Sequence, residues 1–316
     1  MNNTTPIAAI VVTYFPDDRI TDRLAAIRRE VERLVIVDNG SSPEIRVKLE
    51  SWAAQNSASI LASTENRGLA AALNQGLVWS ESEGCEWAIT FDQDSTPQSG
   101  LAAALMATAL SSAMPDQVAI VGAHTFDERS GRDDRWLQPA WFGFRRKSCG
   151  QADLVGVTFV ITSGALTHVR AWRKLGGFDE GLFIDYLDHD LCLRARKAGW
   201  QVLVSSAARL AHNLGSKRGV VVAGRMLRPT FHSAVRHYYM ARNRIIMWKR
   251  YAFRFPHWWL FDVLFGALNT LRVLLAEDER RQKLTAILGG TWHGILGRSG
   301  SLDEASNRKA SCTHDS

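Results

Sequence analysis

Short, unbroken apolar runs recur along the first two-thirds of the chain: "IAAIVVTY" (7–14), "RLVIVDNGS" (33–41), "ASILAS" (58–63), "EWAITFDQD" (86–94) and "QVAIVGAH" (117–124). Strands that stay apolar at consecutive positions are buried on both faces, as in a parallel sheet covered by helices. Between them lie segments with helical spacing, predicted at 20–29, 43–56, 69–81 and 99–113. Strands alternating with helices of this length predict an α/β fold with a parallel sheet and right-handed crossovers. In such sheets ligands bind beyond the carboxyl ends of the strands. Thr13, Tyr14, Asp38, Asn39, Asp92 and Asp94 all fall at those ends.

Beyond Phe126 the pattern loosens. "DERSGRDDRWLQPAWFGFRRKSCGQ" has no period and predicts a long loop or loose hairpin, and "DLVGVTFVIT" (153–162) resumes strand character. A helix is predicted from about Tyr186 to Lys197, closed by Gly199, and a strand before His212. Long helices follow at 232–251, 258–275 and 279–296, then a polar tail after Gly300 expected to be disordered. These divide the chain into an α/β region over 1–214, a helical region over 215–300 and a tail over 301–316.

Composition changes the picture in three places. A chain of 316 residues, 46% of them hydrophobic, can bury one large core or two modest ones. The net charge of +6 is uneven: residues 215–300 hold 15 Lys/Arg against 4 Asp/Glu. The aromatics there sit in apolar helices and not among interleaved basic residues, which favours an anionic membrane face over nucleic acid. In the helix at 258–275, Trp258, Phe261, Phe265, Leu268, Leu271 and Leu275 make an apolar stripe. Such a stripe is more often core than membrane contact, or an oligomer contact. The uncharged stretch Val263–Leu271 is too short for a span. Finally, Cys85, Cys149, Cys192 and Cys312 lie far apart, with no metal-binding or disulfide spacing, and no basic n-region with an apolar h-region opens the chain. A cytoplasmic protein is expected, peripheral at most on the inner face of the membrane.

Four stretches carry chemistry. Asp92 and Asp94 flank one glutamine at a strand end, and two acids aimed the same way repel unless a cation sits between them. Mg2+ or Mn2+, hard and oxygen-seeking, would bridge such a pair to a diphosphate. The bland alternative is a strand-terminating turn. Asp38 could accept a pyrimidine N3–H, or simply hold the turn that Asn39–Ser42 makes. Asn66, Arg67 and Gly68 precede a helix rich in small residues, whose first amides could face an anion, although neither Walker nor dinucleotide spacing is present. Asn74 and Gly76 suit close helix packing equally well. In "FIDYLDHDLCLRARKAGW" (183–200), Asp188 and Asp190 point in different directions on a helix. Asp185 and Asp190 read as helix-start residues, with Asp190 near Arg194, and His189 as a packed or exposed histidine.

As an ordered set, "VVTYFP", "VDNGS", "ENRGLAAALNQG", "FDQDS", "SGALTHVRAWRKLGGFDEGLFIDYLDHDLCLRARKAG" and "AHNLG" resemble the family 2 glycosyltransferases over residues 7–214. The resemblance implies a GT-A fold, a Rossmann-like, mainly parallel sheet followed by a C-terminal helical region, and inverting transfer from a nucleotide sugar. It implies that Thr13, Tyr14 and Asp38 border the nucleotide and that Asn66 and Arg67 lie near the donor. Asp92 and Asp94 would bind the metal diphosphate, His212 would be a further metal ligand and Asp188 the catalytic base. Tyr238 and Arg242 would approach the diphosphate. "GLFIDYLDHDLCLR", "RHYYMARNRI" and "GILGRSG" resemble bacterial rhamnosyltransferases using dTDP-L-rhamnose, acting on a glycan or lipid-linked saccharide in cell-surface polysaccharide synthesis such as O-antigen. One departure is Asp190-Leu191, where many of these have Glu-Trp. Another donor (a UDP-hexose or galactofuranose) is the main alternative. A nucleotidyltransferase would carry a glycine- and lysine-rich loop absent from "VVTYFPDDR", and a non-catalytic binding module would need no base at Asp188.

Overall fold

The computed structural model describes residues 6–127, 132–212, 220–222, 225–227 and 231–302. The strands are β1 (Ile7–Thr13), β2 (Arg33–Asp38), β3 (Ser59–Ala62), β4 (Trp87–Asp92), β5 (Ser95–Pro97), β6 (Val118–Asp127), β7 (Arg132–Asp133), β8 (Trp136–Pro139), β9 (Phe144–Lys147), β10 (Leu154–Val155), β11 (Ala165–His168), β12 (Gln201–His212), β13 (Val220–Val222) and β14 (Arg225–Leu227). The helices are α1 (Ile20–Arg28), α2 (Pro43–Gln55), α3 (Leu69–Ser82), α4 (Leu101–Leu110), α5 (Val169–Leu175), α6 (Leu187–Lys197), α7 (Ala234–Tyr251), α8 (Pro256–Ala276) and α9 (Arg280–Ile295). The described residues fall in two compact units. One is drawn from 1–138, 146–179 and 188–213, the other from 139–145, 180–187 and 214–316.

In the first unit a single sheet runs β10-β12-β6-β11-β4-β1-β2-β3, with β5 on β12 and β7 on β6. β4, β1, β2 and β3 are mutually parallel, as are β6 and β12, so the α/β expectation holds. Ala8–Val11 and Leu34–Val37 are buried on both faces, as the apolar runs require. Helix α3 lies close on the sheet because Gly76 has no side chain: a Cβ there would come within 2.3 Å of Ile10 Cγ2. The Asn74 amide is equally structural, accepting from Phe178 N (2.8 Å) and Trp172 Nε1 (3.2 Å) and donating to Phe178 O (3.0 Å).

One sheet element differs from expectation. The strand predicted at 153–162 is only Leu154–Val155, because the chain turns out of the sheet at Gly156, with φ +68°. Its apolar alternation serves burial all the same: Val160 packs where a Cβ on Gly122 would stand 2.7 Å from it. The strand that fills the sheet is β11, antiparallel to both β4 and β6. The segment read as a loop or loose hairpin contains the short strands β7, β8 and β9.

In the second unit α7 packs against α9, where Gly290 and Gly294 admit the Tyr238 and Arg242 carbonyls too closely for any Cβ. Helix α8 is long and apolar enough to cross a bilayer, longer than the uncharged stretch suggested, because helix length runs on past Asp262 and Arg272. The stripe it buries is not the predicted one. Trp258, Asp262, Gly266, Asn269, Val273 and Ala276 are inside, while Phe265, Leu268, Leu271 and Leu275 are exposed.

Candidate active site at the strand ends

The ends of β4, β1 and β2 stand side by side: Val12 is in register with Asp92, and Thr13 with Asp38. Thr13 and Asp38 are fully buried. Asp38 Oδ1 accepts from Thr13 Oγ1 (3.0 Å) and Ser41 Oγ (2.6 Å), and Oδ2 accepts from Ser41 N (3.0 Å). The carboxylate thus holds the "DNGS" turn, and neither side chain offers a surface to a nucleotide.

The turn is clamped to the loop ahead of α3. Asn39 Nδ2 donates to Asn66 Oδ1 (2.9 Å), Arg67 N donates to Asn39 Oδ1 (2.9 Å), and Gly68 N donates to Asn66 Oδ1 (2.9 Å). Gly40, with φ +94°, lets the two backbones meet, since a Cβ would lie 2.6 Å from the Glu65 carbonyl carbon. Asn66 therefore shapes the loop. Arg67 is exposed, and Tyr14 is half-exposed with its ring edge-on to Phe15 at 4.9 Å.

The D-Q-D stretch is fixed from three sides. The Gln93 amide pairs with the Tyr14 peptide, accepting from its N–H (2.8 Å) and donating to its carbonyl (3.2 Å). Arg23, nearly buried on α1, donates to the Gln93 carbonyl (3.1 Å) while making a two-point ion pair with Asp17. That guanidinium holds the Asp17 carboxyl below the usual carboxylate range. Asp92 N donates to Ser163 Oγ (3.1 Å), which shares a hydrogen bond with Ser95 Oγ (2.7 Å). With their backbone held in this way, Asp92 and Asp94 remain half-buried.

Asp94 leads directly into β5, where Ser95 is the register partner of His212 in β12. The His212 backbone thus reaches the D-Q-D turn, and its side chain lies outside the described residues, as does most of the tail. Among the described residues no three His, Cys, Asp or Glu side chains gather into a metal cluster.

Asp188 lies in the first turn of α6, half-buried, and Oδ1 accepts from His189 N (2.8 Å). Asp190 is buried and bound to Arg194, whose Nε and Nη2 lie 2.7 and 2.6 Å from Oδ2, while Arg194 also donates to the Leu175 and Gly177 carbonyls. The two acids face different surroundings, as helical spacing required. Asp185 pairs with Arg236 at 3.0 Å.

Tyr238 and Arg242 are accounted for inside the second unit. Tyr238 is buried, its hydroxyl 2.7 Å from His293 Nδ1. Arg242 has no exposed surface: its guanidinium donates to the Gly181, Leu182 and Gly300 carbonyls and its Nε to Asn243 Oδ1.

The fold compares with known transferases. S. aureus TarS residues 1–349, solved with UDP-GlcNAc, superposes at a TM-score of 0.56 with 13% identity, covering 89% of this chain and 79% of that one. The mannosyltransferase PcManGT from Pyrobaculum calidifontis, solved with GDP-Man and Mn2+, gives 0.54 with 16% identity, covering 98% and 81%. In sequence, the chain is 27% identical over 308 residues to the dTDP-rhamnosyl transferase RfbF of Shigella flexneri, covering 93% of this chain and 97% of the relative. Residues 8–176 match the family model described as Glycosyl transferase family 2, and the chain belongs to that family of glycosyltransferases.

Proposed function

We propose that the chain transfers L-rhamnose from dTDP-L-rhamnose, with inversion, to a hydroxyl of a glycan or lipid-linked saccharide in the assembly of a bacterial cell-surface polysaccharide. The donor choice is supported by the relative RfbF, named a dTDP-rhamnosyl transferase. The chemistry is carried by one observation: a rigidly held D-Q-D turn at a strand end, with the His212 backbone in register one residue beyond Asp94. Two half-buried carboxylates fit a hard divalent cation such as Mn2+ or Mg2+, for which His212 is the further ligand we assign, and the P. calidifontis structure contains Mn2+. When bound, that cation offsets the negative charge gathering on the departing diphosphate.

The remaining work falls to the chain's own groups. Asp188 takes the acceptor proton as the hydroxyl attacks C1 from the face opposite the diphosphate, so the anomeric configuration inverts without a covalent enzyme intermediate. The His189 amide fixes the carboxylate's direction. Tyr14 offers a ring face to the nucleotide, and Arg67 a guanidinium to the diphosphate. Thr13, Asp38 and Asn66 hold the loops that carry them. The catalytic region is 1–214, and the working compartment the cytoplasm, in keeping with buried free thiols at Cys85, Cys149 and Cys192.

The test is a melting-temperature series with Mn2+ and a panel of nucleotide sugars. A ligand that binds only the folded state at a hundred times its Kd stabilises it by about 2.7 kcal/mol. The largest rise is expected with dTDP-L-rhamnose. A larger rise with a UDP-hexose or UDP-galactofuranose would reassign the donor within the same family.

A further inference from the structure

Helix α8 is amphipathic the wrong way round for a core helix. Apart from Trp258 and Val273 the stripe it turns inward is polar or small, and it is fixed by a buried carboxylate. Asp262 accepts from Tyr186 Oη (2.7 Å), Trp248 Nε1 (2.7 Å) and Arg244 Nε (3.2 Å). At Gly266 the Arg244 guanidinium comes within 2.7 Å of where a Cβ would stand. These contacts commit one side of α8 along its length and leave Trp259, Phe265, Leu268, Leu271 and Leu275 facing out. Single exposed leucines need no explanation, but a continuous helical face of large apolar side chains does.

Two further observations lie in the same unit. Trp141 and Phe142 are fully exposed at a loop tip. That loop borders α8: a Cβ on Gly143 would lie 3.5 Å from Leu260, and the Phe144 ring is edge-on to Phe261 at 5.4 Å. The turn into α8 carries a fully exposed Phe253 next to an exposed Arg254. From Ala234 to Ala276 the basic residues are Arg236, Arg242, Arg244, Lys249, Arg250, Arg254 and Arg272, and the single acid, Asp262, is buried. Arg250 and Arg254 are exposed at the turn between α7 and α8, Lys249 donates to the Gly294 and Ile295 carbonyls, and the exposed acids Asp278 and Glu279 follow the far end of α8.

We propose that α8, with the Trp141–Phe142 tip and the Arg250–Arg254 rim, docks flat on an anionic lipid surface. An apolar helical face with aromatic residues beside it and cations at its edge has the composition of an interfacial helix. A crossing fits less well, because one side of α8 is engaged within its own unit through the buried Asp262 carboxylate. A second copy of the chain fits less well, since residues 215–300 hold 15 Lys/Arg against 4 Asp/Glu and two such regions repel. The proposal does not depend on which donor the active site takes.

Flotation of the full chain with vesicles tests it, using phosphatidylcholine alone and phosphatidylcholine mixed with phosphatidylglycerol. Binding is expected to the mixed vesicles at low salt, declining as salt screens the rim. Each of Arg250→Ser and Arg254→Ser lowers the partition coefficient about fivefold. The doubly substituted Leu268→Glu, Leu271→Glu protein loses binding while melting as the parent does, since both side chains are already in water. Absence of binding to mixed vesicles at low salt overturns the proposal. So does a dimer in sedimentation equilibrium that the same double substitution disperses, which assigns the face to self-association.

Discussion

Asn243→Ala perturbs the segment that leads into the proposed base. Within residues 183–186, Phe183, Asp185 and Tyr186 all have positive φ (65°, 61° and 67°). For side chains other than glycine this region costs about 1–2 kcal/mol per residue, so the segment stores roughly 3–6 kcal/mol. Its carbonyls meet one fully buried amide: the two N–H groups of Asn243 Nδ2 are shared among the Leu182 (2.9 Å), Ile184 (2.8 Å) and Asp185 (3.1 Å) oxygens. At about 0.5–1.5 kcal/mol net per hydrogen bond, losing its two N–H donors costs about 2 kcal/mol. Urea denaturation measures the loss. Asn243→Asp is the sharper variant, because it keeps the shape but turns a carboxylate towards three carbonyl oxygens, and it is expected to be at least as damaging as alanine. Because the segment runs directly into α6, both variants should also lower the transfer rate more than donor affinity. Wild-type stability of Asn243→Asp would refute the reasoning, since the strained segment would then not need a donor there.

Three further outcomes follow from the same physics. Gly76→Ala gains about 1 kcal/mol in helix propensity but overpacks against Ile10, at about 1–3 kcal/mol, so calorimetry should show a lower Tm. Asp190→Ala strands the Arg194 cation and costs about 3–5 kcal/mol, whereas Asp188→Asn should leave the urea midpoint unchanged and cut turnover by about 10²–10⁴; the reverse pattern would exchange the two roles. Burial, then the Arg236 charge, pushes the His232 imidazole down to about 4, and burial lowers His237 as well. The unfolded chain gains these protons below about 6.5 while the folded chain refuses them. Stability is thus full above about pH 6.5 and falls towards pH 4, by at most about 3 kcal/mol for His232. Although burial favours the neutral acid, Lys283 holds Glu277 low, which adds loss in the same direction at still lower pH. Equal urea midpoints at pH 7 and pH 5 would contradict this.

The parallel strands were legible because burial on both faces leaves an unbroken apolar run, and the strand-end acids stood out as polar residues closing such runs. β11 was not, since its four residues, Ala165–His168, are too few to show alternation, while 153–162 alternated for burial alone. Periodicity found the apolar stripe of α8 but not its direction. The direction is set by Asp262, whose partners Tyr186, Arg244 and Trp248 are remote in sequence. The clamp on the D-Q-D turn was half legible. Arg23 shares the buried stripe of α1 with Ile20, Leu24 and Ile27, and a charge on such a stripe signals a buried partner. Gln93 and Ser163 carried no signal, because a lone glutamine or serine says nothing of the peptide it will meet. The same holds for Arg242, a basic residue on a long helix whose partners are backbone carbonyls.

The central claim, a strand-end carboxylate pair acting on a nucleotide sugar, is tested most directly by hydrolysis of dTDP-L-rhamnose, with water in place of the acceptor, followed by phosphorus NMR. The wild-type chain and Asp94→Ala are compared with Mn2+ and with excess chelator. Loss of the metal site removes charge stabilisation worth several kcal/mol, and each 1.36 kcal/mol is tenfold in rate. The account predicts release of dTDP by the wild-type chain with Mn2+. It predicts a fall of at least about a hundredfold in chelator, and the same low rate for Asp94→Ala in both conditions, at an unchanged melting temperature. Equal release in Mn2+ and chelator by wild type and variant alike would contradict it.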